Sequence, residues 1–105
     1  MASRFTVRVL LQDEDDYTQL HQYMAEEGFT KFIESAEGQQ FKLPPAEYSF
    51  VGELPSERVL DKARAAAART SKDFQILVSP CEPRIWFGLA KAQAFERIAE
   101  YSYRR

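Results

Sequence analysis

Two hydrophobic periods, incompatible with each other, alternate along this chain and constrain its fold more than any other feature. Residues 4–11 alternate polar and apolar side chains with period two, as a half-buried β-strand does. Residues 17–28 change to helical spacing, with Leu20 and Met24 on one stripe. Because one segment cannot satisfy both periods, the sequence predicts a strand followed by a helix.

Further changes of period divide the rest of the chain. The expected elements are, in order, a strand at 30–35, a ribbon arm at 40–43, a strand at 47–54, a helix from Ser56 to about Thr70, and a strand at 73–78. The resulting order of strand, helix, strand, strand, helix and strand is that of the ferredoxin-like split βαβ motif. The predicted class is therefore α+β, a ferredoxin-like βαββαβ fold with an antiparallel four-stranded sheet and two helices on one face.

Local signals predict where the helices begin and end. Asp13 precedes the first helical pattern and is a candidate N-cap, which would place the acidic residues 14–16 in the first turn. Ser56 is the corresponding candidate for the second helix. Gly28 follows the last periodic turn of the first helix and suits the left-handed position that commonly ends a helix.

One domain is expected from a chain of 105 residues. Its core should cover about residues 4–79, and residues 84–105 form a C-terminal extension. Within this extension, an apolar patch at 85–89 leads into a helical pattern at 90–103. The sequence thus predicts a third, C-terminal helix outside the ferredoxin-like core.

The sheet face opposite the helices is expected to be partly apolar. The alternation that turns Val7 toward the helices turns Leu10, Val51 and Leu77 to the other face. An uncovered apolar face is a surface for association. The sequence therefore predicts a homodimer through the sheets in which the C-terminal segment participates. Coverage of the face by residues 85–103 is the alternative.

Composition and the absence of targeting signals predict a cytoplasmic protein. The single cysteine, Cys81, excludes an intramolecular disulfide and is compatible with a reducing compartment. Arg4 and Arg8 interrupt the N-terminal apolar pattern, and no apolar run approaches the ~20 residues that span a bilayer. The glycines are scattered and form no phosphate-binding loop. Neither membrane contact nor a nucleotide cofactor is expected.

Charge is distributed unevenly, although the net charge is only −2. Residues 12–57 contain eleven acidic and two basic residues, a net charge of −9, whereas residues 58–105 contain ten basic and five acidic residues, a net charge of +5. This asymmetry permits a basic, RNA-binding face. The alternative is that the basic side chains only make the second helix soluble and pair with neighbouring acidic side chains. The candidate RNA-binding residues are Arg4, Arg58, Lys62, Arg69 and Arg84.

Acid–base or metal chemistry has few candidate residues in this chain. Asp13 opens an acidic run at 13–16 that either holds a divalent metal or caps the first helix. His21 is the only histidine, which excludes a histidine pair within one chain. It is either a general base near neutral pH or an ordinary residue at the boundary of a helix face. Cys81 lacks a local activating pattern and is expected to be inert.

The stretch 5–79 resembles the GhoS-like family, the small endoribonuclease antitoxins of type V toxin–antitoxin systems. The resemblance lies in FTVRVLL, in the acidic residue after it, in a helix with Tyr17 and Met24, and in the segments GFTKFIESAEG, YSFVGEL and SERVLDKAR. It covers about three quarters of the chain, and residues 85–105 have no clear counterpart. The resemblance implies a ferredoxin-like fold, cleavage of a toxin's messenger RNA, and an acidic residue at the end of the first strand, which corresponds to Asp13.

Two classes of function follow from these observations. The first is an RNA-acting regulatory protein that cleaves at the edge formed by the first strand and the first helix. Its catalytic candidates are Asp13, as a base or with a divalent metal, His21, and Arg8, whose charge would stabilise a phosphorane. The second is a non-catalytic, dimeric protein-interaction module. A salt-dependent affinity for RNA distinguishes the two classes.

Overall fold

The computed structural model describes residues 3–12, 17–81 and 86–93. These residues form an α+β fold, as the alternation of periods predicts. The elements are, in chain order, β1 (Ser3–Leu11), α1 (Thr18–Glu26), β2 (Phe32–Glu34), β3 (Gln40–Lys42), β4 (Glu47–Gly52), α2 (Ser56–Ala68) and β5 (Phe74–Pro80).

β1 is the central strand of a three-stranded sheet and pairs antiparallel with β4 on one side and β5 on the other. β2 and β3 form a separate antiparallel hairpin. A single bridge joins this hairpin to the outer edge of β4, with Thr30 N–H donating to the Ser49 carbonyl at 2.9 Å and Ser49 N–H donating to the Thr30 carbonyl at 2.7 Å. In place of the expected four-stranded sheet, the described strands therefore form a sheet of three and a sheet of two, joined by one backbone bridge at Thr30, just before β2.

One hydrophobic core fills the space between the three-stranded sheet and the two helices. Period two in β1 turns alternate side chains into this core, and α1 and α2 each contribute one buried stripe. Three alanines of α2, Ala63, Ala66 and Ala67, are fully buried, because short side chains let the helix approach the sheet closely. The buried members of the core are Phe5, Val7, Val9, Leu11, Leu20, Met24, Phe29, Tyr48, Phe50, Val59, Ala63, Ala66 and Ala67.

The opposite sheet face carries exposed apolar side chains, as expected. Leu10 is 44 % exposed, Val51 54 % and Leu77 64 %. The register nevertheless divides them, because Leu77 lies opposite Arg8 near Leu10 at one end of β1, whereas Val51 lies opposite Arg4. Arg4 and Leu10 are six positions apart, or about 20 Å along a strand. The face is therefore apolar at its two ends and polar between them.

The predicted N-cap of each helix was wrong, although α2 begins at Ser56 as expected. α1 begins at Thr18 with Tyr17 at the N-cap position, and it has no acidic residue in its first turn. Asp13, the expected cap, lies outside the described residues. α2 has Pro55 rather than Ser56 at its N-cap, because the extended backbone of Pro55 directs its carbonyl to the N–H groups of Arg58 and Val59. Ser56 is already the first helical residue.

The predicted end of α1 is confirmed. Gly28 has φ +97°, in the left-handed region that disfavours residues with a Cβ. Its N–H donates to the Ala25 carbonyl, and the N–H of Phe29 donates to the Met24 carbonyl, both at 3.0 Å. These two bonds form a Schellman motif that satisfies carbonyls at the helix end. The motif turns Phe29 into the core, where it is fully buried.

The last described segment is not helical where a helix was predicted. Residues 90–92 pair with β3, since Lys42 N–H donates to the Ala90 carbonyl at 2.8 Å and Ala92 N–H donates to the Gln40 carbonyl at 3.0 Å. The Trp86 and Phe41 rings also pack with their centroids 5.5 Å apart. Pairing with an open strand edge prevails here over the local helical pattern. The rest of the predicted helix, from residue 94, lies outside the described residues.

Strand lengths also differ from their predictions, most of all in β2, which was expected at 30–35 and spans Phe32–Glu34. β4 ends at Gly52, and β5 continues to Pro80 although a loop was expected from Ser79. β5 reaches that far because β1 pairs with it over its whole length, to the pair Phe5–Pro80. Among the described residues, no helix has the length and apolar character needed to cross a membrane.

Candidate functional site

A cluster of polar side chains lies at the edge of the core, where α1 passes the start of β4. Its centre is a hydrogen bond of 2.5 Å between Nδ1 of His21 and the hydroxyl of Tyr48. The two rings meet edge to face with centroids 5.6 Å apart. Tyr17, one turn before His21 on the same helix, accepts a hydrogen bond from Leu11 N–H through its hydroxyl at 3.2 Å. The cluster thus joins α1 to both β1 and β4.

Lys31 is a buried cation on the other side of the Tyr48 ring. Lys31 is only 6 % exposed, and its Nζ lies 4.6 Å from the centroid of the Tyr48 ring. Nζ donates to the backbone carbonyls of Pro44 at 2.5 Å, Pro45 at 3.1 Å and Glu47 at 2.7 Å. An ammonium group has three N–H donors, and three carbonyls receive them. Lys31 therefore holds the diproline turn against the hairpin.

Burial makes the hydroxyl of Tyr48 harder to ionise. Burial raises the pKa of its hydroxyl well above the ordinary range, and the nearby Tyr17 raises it further. Tyr48 is protonated at neutral pH, as an ordinary tyrosine is, and its hydroxyl can donate to Nδ1 of His21 when that nitrogen carries no proton. This arrangement holds the imidazole in one orientation, which suits a structural role as well as a role in positioning a reactive group.

The sheet separates two of the catalytic candidates. His21 lies on the helix-covered side, bonded to Tyr48, whose ring faces the core. Arg8 lies on the opposite face of β1 and is exposed, because it is one position out of phase with the buried Val7 and Val9. The structure therefore does not bring His21 and Arg8 together. Asp13, the third candidate, lies outside the described residues.

Two of the candidate RNA-binding residues on α2 form ion pairs with α1. Lys62 Nζ lies 3.5 Å from Glu27 Oε1, and Arg69 Nη1 donates to Glu26 Oε1 at 2.5 Å. The Arg69 guanidinium also lies over the Tyr23 ring, 4.0 Å from its centroid. The hydrogen bond to Glu26 raises the pKa of Arg69 above its ordinary value. These side chains connect the two helices.

The remaining RNA-binding candidates lie on different parts of the molecule. Arg58 is exposed on α2, where it borders a shallow depression together with Asp61 and Leu54. Arg4 is exposed on the open sheet face, two positions from Thr6 and four from Arg8. Arg84 lies outside the described residues. Arg4 and Arg8 thus share the open sheet face, whereas Arg58 and Lys62 share the depression on α2.

Hydroxyl groups lie between the two arginines of the open face. Thr6 stands between Arg4 and Arg8 on β1 and pairs with Ser49 on β4 and Ser79 on β5. Its Oγ1 lies 3.1 Å from the Sγ of Cys81, the free cysteine. Ser49 is buried beside Thr30, whereas Ser79 is exposed. The centre of this face offers hydroxyl groups and two cations.

Sequence reasoning did not identify Lys31 or Tyr48 as parts of a polar cluster. A signal was present in the pair Pro44–Pro45, since prolines that cannot join a ladder leave carbonyls that need another donor. Two lysines precede this pair in the hairpin, Lys31 and Lys42, and the sequence does not distinguish which of them reaches the carbonyls. For metal binding, the described part of the chain contains no group of three His, Cys, Asp or Glu side chains. The acidic run at 13–16 lies outside it.

Comparison of the sequence with models of protein families finds no match, and comparison with curated proteins finds none either.

Proposed function

We propose that this chain is a cytoplasmic, RNA-acting regulatory protein of the endoribonuclease-antitoxin type, and that it binds RNA on the open face of the β4–β1–β5 sheet. The observation that carries the proposal is the position of Arg4 and Arg8, two exposed cations on one strand face. Thr6 lies between them, and Ser79 is its neighbour on β5. Cations position a phosphate backbone, and hydroxyls add hydrogen bonds to it.

The strand arrangement supports a ferredoxin-like fold of the kind that the resemblance implies. If the bridge between Thr30 and Ser49 is counted as strand pairing, the strands follow the order β5, β1, β4 and β2. This order makes β1 central, and among the described residues both helices pack on one face of the sheet. Side chains from β4, β1 and β5 meet on this face, so three strands can contribute to one binding surface.

The ion pairs of α2 favour the sheet face over the helix as the RNA-binding surface. Lys62 and Arg69 already face carboxylates of α1, which would have to be displaced by a phosphate. Arg8 has no such carboxylate partner among the described ion pairs, although Glu47 lies opposite it on β4. Contact of RNA with Arg8 would therefore displace no ion pair of the described residues, unlike contact with Lys62 or Arg69.

Cleavage, if the protein performs it, would use Arg8 to stabilise the charge of the phosphorane. Asp13 is the proposed base or metal ligand, because it follows Gln12 at the end of the strand that carries Arg8. His21 belongs to a different surface and is bonded to Tyr48. The proposal therefore assigns the reaction to the sheet side and gives His21 a structural role.

The test measures the affinity of the protein for a labelled single-stranded RNA as a function of salt concentration. The double variant Arg4→Ala, Arg8→Ala should bind more weakly, and the slope of log affinity against log salt should fall by about 0.7 for each lost phosphate contact. The double variant Lys62→Ala, Arg69→Ala removes the same charge from α2 and is the matched control. A larger loss in the control than in the sheet variant would contradict the proposal.

The same proteins, prepared free of contaminating nucleases, test cleavage separately. Wild-type protein that cuts RNA should lose this activity in the variant Arg8→Ala and keep it in His21→Gln. If His21→Gln is inactive although folded and Arg8→Ala is active, the reaction belongs to the helix side. RNA binding without cleavage would leave a regulator that acts by binding alone.

A second candidate function is a non-catalytic, dimeric protein-interaction module. The observation in its favour is the exposure of Leu10 and Leu77 at one end of the open face. Apolar side chains in such a position mark contacts with other proteins. A wild-type protein that has no measurable affinity for RNA at low salt, yet forms a stable dimer, would favour this candidate.

A further inference from the structure

β5 is an edge strand whose outer side has no partner among the described residues. β1 occupies its inner side over the full length of the strand. Two backbone bonds, from Gln12 N–H to the Asp73 carbonyl and from Cys81 N–H to the Arg4 carbonyl, show which residues of β5 direct their N–H and C=O groups toward β1. In an antiparallel ladder these are alternate residues, so the odd-numbered positions face β1 and the even-numbered positions face outward.

The outward positions therefore present a regular row of backbone groups. Phe74, Ile76 and Val78 each direct one N–H and one C=O away from the sheet, and Pro80 directs only a carbonyl. The position of Pro80 agrees with this assignment, because proline is tolerated in a strand where its missing N–H would face outward. Three donors and four acceptors are thus aligned along one edge.

Within the part of the chain that the structure describes, this edge lacks the usual protection against pairing. Edge strands of monomeric proteins commonly carry charged side chains, bulges or a very short length. The seven residues of β5, FQILVSP, contain no charged side chain. Pro80 alone obstructs pairing, and it does so only at one end. On the two faces, the edge displays the half-buried Ile76 and the exposed Leu77.

We propose that two copies of this chain pair through β5 into a symmetric dimer with a continuous antiparallel sheet, and that Ile76 lies opposite Ile76 of the second copy. In this register Phe74 faces Val78 of the second copy, so all three outward N–H groups of each chain find carbonyl acceptors. Pro80 lies opposite Lys72 of the second copy, where the missing N–H costs least because it falls at the end of the ladder.

The edge is complementary to itself, which makes a second copy the fitting occupant. An antiparallel two-fold pair needs the same strand on both sides, and β5 supplies donors and acceptors symmetrically about Ile76. The charged residues near the strand, Lys72 and Asp73, come opposite Pro80 and Ser79 of the second copy, so like charges do not meet. Leu77 comes opposite Gln75 of the second copy and loses exposed apolar area.

The dimer also has a consequence for the open sheet face. Directly paired residues of an antiparallel ladder point to the same face, so the open faces of both copies lie on one side of the joined sheet. Arg4 and Arg8 of both chains then share a single surface. The dimer proposal does not depend on RNA binding, and its test uses no RNA.

The first test compares two lysine substitutions on the open face by sedimentation equilibrium of the full chain over a wide range of concentrations. Leu77→Lys adds a charge to the proposed interface and should raise the dimer Kd about tenfold, since two symmetric contacts are lost. Leu10→Lys adds the same charge on the central strand, away from the edge, and should leave the Kd unchanged. Both sites are exposed, and circular dichroism verifies that both variants fold.

The second test determines the register by disulfide formation in a Cys81→Ser background. Residues 75 and 77 of opposite copies form a non-hydrogen-bonded pair with Cα atoms about 4.5 Å apart, which suits a disulfide. A mixture of Gln75→Cys and Leu77→Cys proteins should therefore give a cross-linked dimer, whereas each protein alone should not. The reduced mixture should migrate as monomer on a denaturing gel.

Three outcomes would overturn the proposal. One is a wild-type protein that stays monomeric at every concentration. Another is a dimer that Leu10→Lys weakens as much as Leu77→Lys does, because equal effects would mean that the two copies pack through their open faces and not through the β5 edges. The third is cross-linking of Leu77→Cys protein with itself, because it places the two-fold axis at Leu77 instead of Ile76. Selective weakening by Leu77→Lys together with the mixed cross-link supports it.

Discussion

Nδ1 of His21 on α1 lies 2.5 Å from the hydroxyl of Tyr48 on β4, a residue 27 positions later in the chain. Tyr48 in turn presents its ring to the Nζ of Lys31. Through these contacts one aromatic side chain connects a helix, the central sheet and the hairpin. The stability of this junction can be measured at each of its contacts.

The hydrogen bond between His21 and Tyr48 should be measurable as a coupling energy. Tyr48→Phe, His21→Ala and the double variant form a double-mutant cycle. We expect a coupling of about 1 kcal/mol in the free energy of unfolding, because each single variant already removes the bond. Urea denaturation monitored by circular dichroism gives the values. Additive effects of the two substitutions would show that the bond contributes nothing to stability.

The raised pKa of Tyr48 should make the protein less stable in alkaline solution. Above the ordinary tyrosine pKa of about 10, the unfolded chain releases this proton while the folded protein keeps it. The unfolded state then binds fewer protons, so the free energy of unfolding falls as pH rises, by about 1.4 kcal/mol for each pH unit. At neutral pH both states are protonated, and this contribution is absent.

Tyr48→Phe is the control for the alkaline effect. The difference in stability between wild type and this variant should be constant up to about pH 9 and should shift in favour of the variant by about 1.4 kcal/mol at about pH 11. Urea titrations across this range measure the difference. A difference that does not change with pH would mean that Tyr48 ionises normally in the folded protein.

Lys31→Met should destabilise the protein by about 2–3 kcal/mol, because the carbonyls of Pro44, Pro45 and Glu47 lose their donor. Methionine keeps much of the apolar stem, so the loss reports the ammonium group. Lys42→Met, at an exposed site of β3, should change stability by less than about 0.5 kcal/mol. Thermal and urea unfolding of both variants compare them. Equal effects of the two substitutions would argue against the buried bonds.

Gly28→Ala should lower the free energy of unfolding by about 1 kcal/mol, because alanine resists the left-handed backbone of the Schellman motif. The cause is conformational, since a Cβ at this position would meet the Phe50 ring at an ordinary 3.6 Å. Gly28→Asn should lose less, because asparagine tolerates this conformation better. A loss for asparagine as large as that for alanine would point to crowding instead.

The sequence determined those features that depend on neighbours along the chain. Period two in β1 defines which side chains face the helices, and the outward positions of Leu10, Val51 and Leu77 follow from the same period. Gly28 ends α1 because its own backbone permits the left-handed turn. These properties need only a few consecutive residues, so the pattern of residues contains them.

Tertiary structure decided which of those residues meet. Strand register separates Val51 from Leu10 and Leu77, and the sheet separates Arg8 from His21. Residues 90–92 follow β3 instead of a helical pattern, because an unpaired strand edge offers hydrogen bonds that an isolated helical turn does not match. These contacts depend on the lengths of the strands and loops and on the rotation of each helix about its axis, which are set across the whole chain.

The charged residues of α2 and the buried lysine show the same division. The sequence placed Lys62 and Arg69 on one side of a helix, but their carboxylate partners belong to α1 and depend on how the two helices pack. Lys31 reads as a strand residue, and only the fold brings the diproline carbonyls to its ammonium group. Electrostatic partners follow from distance in space, and residue type alone determines only the charge that each one carries.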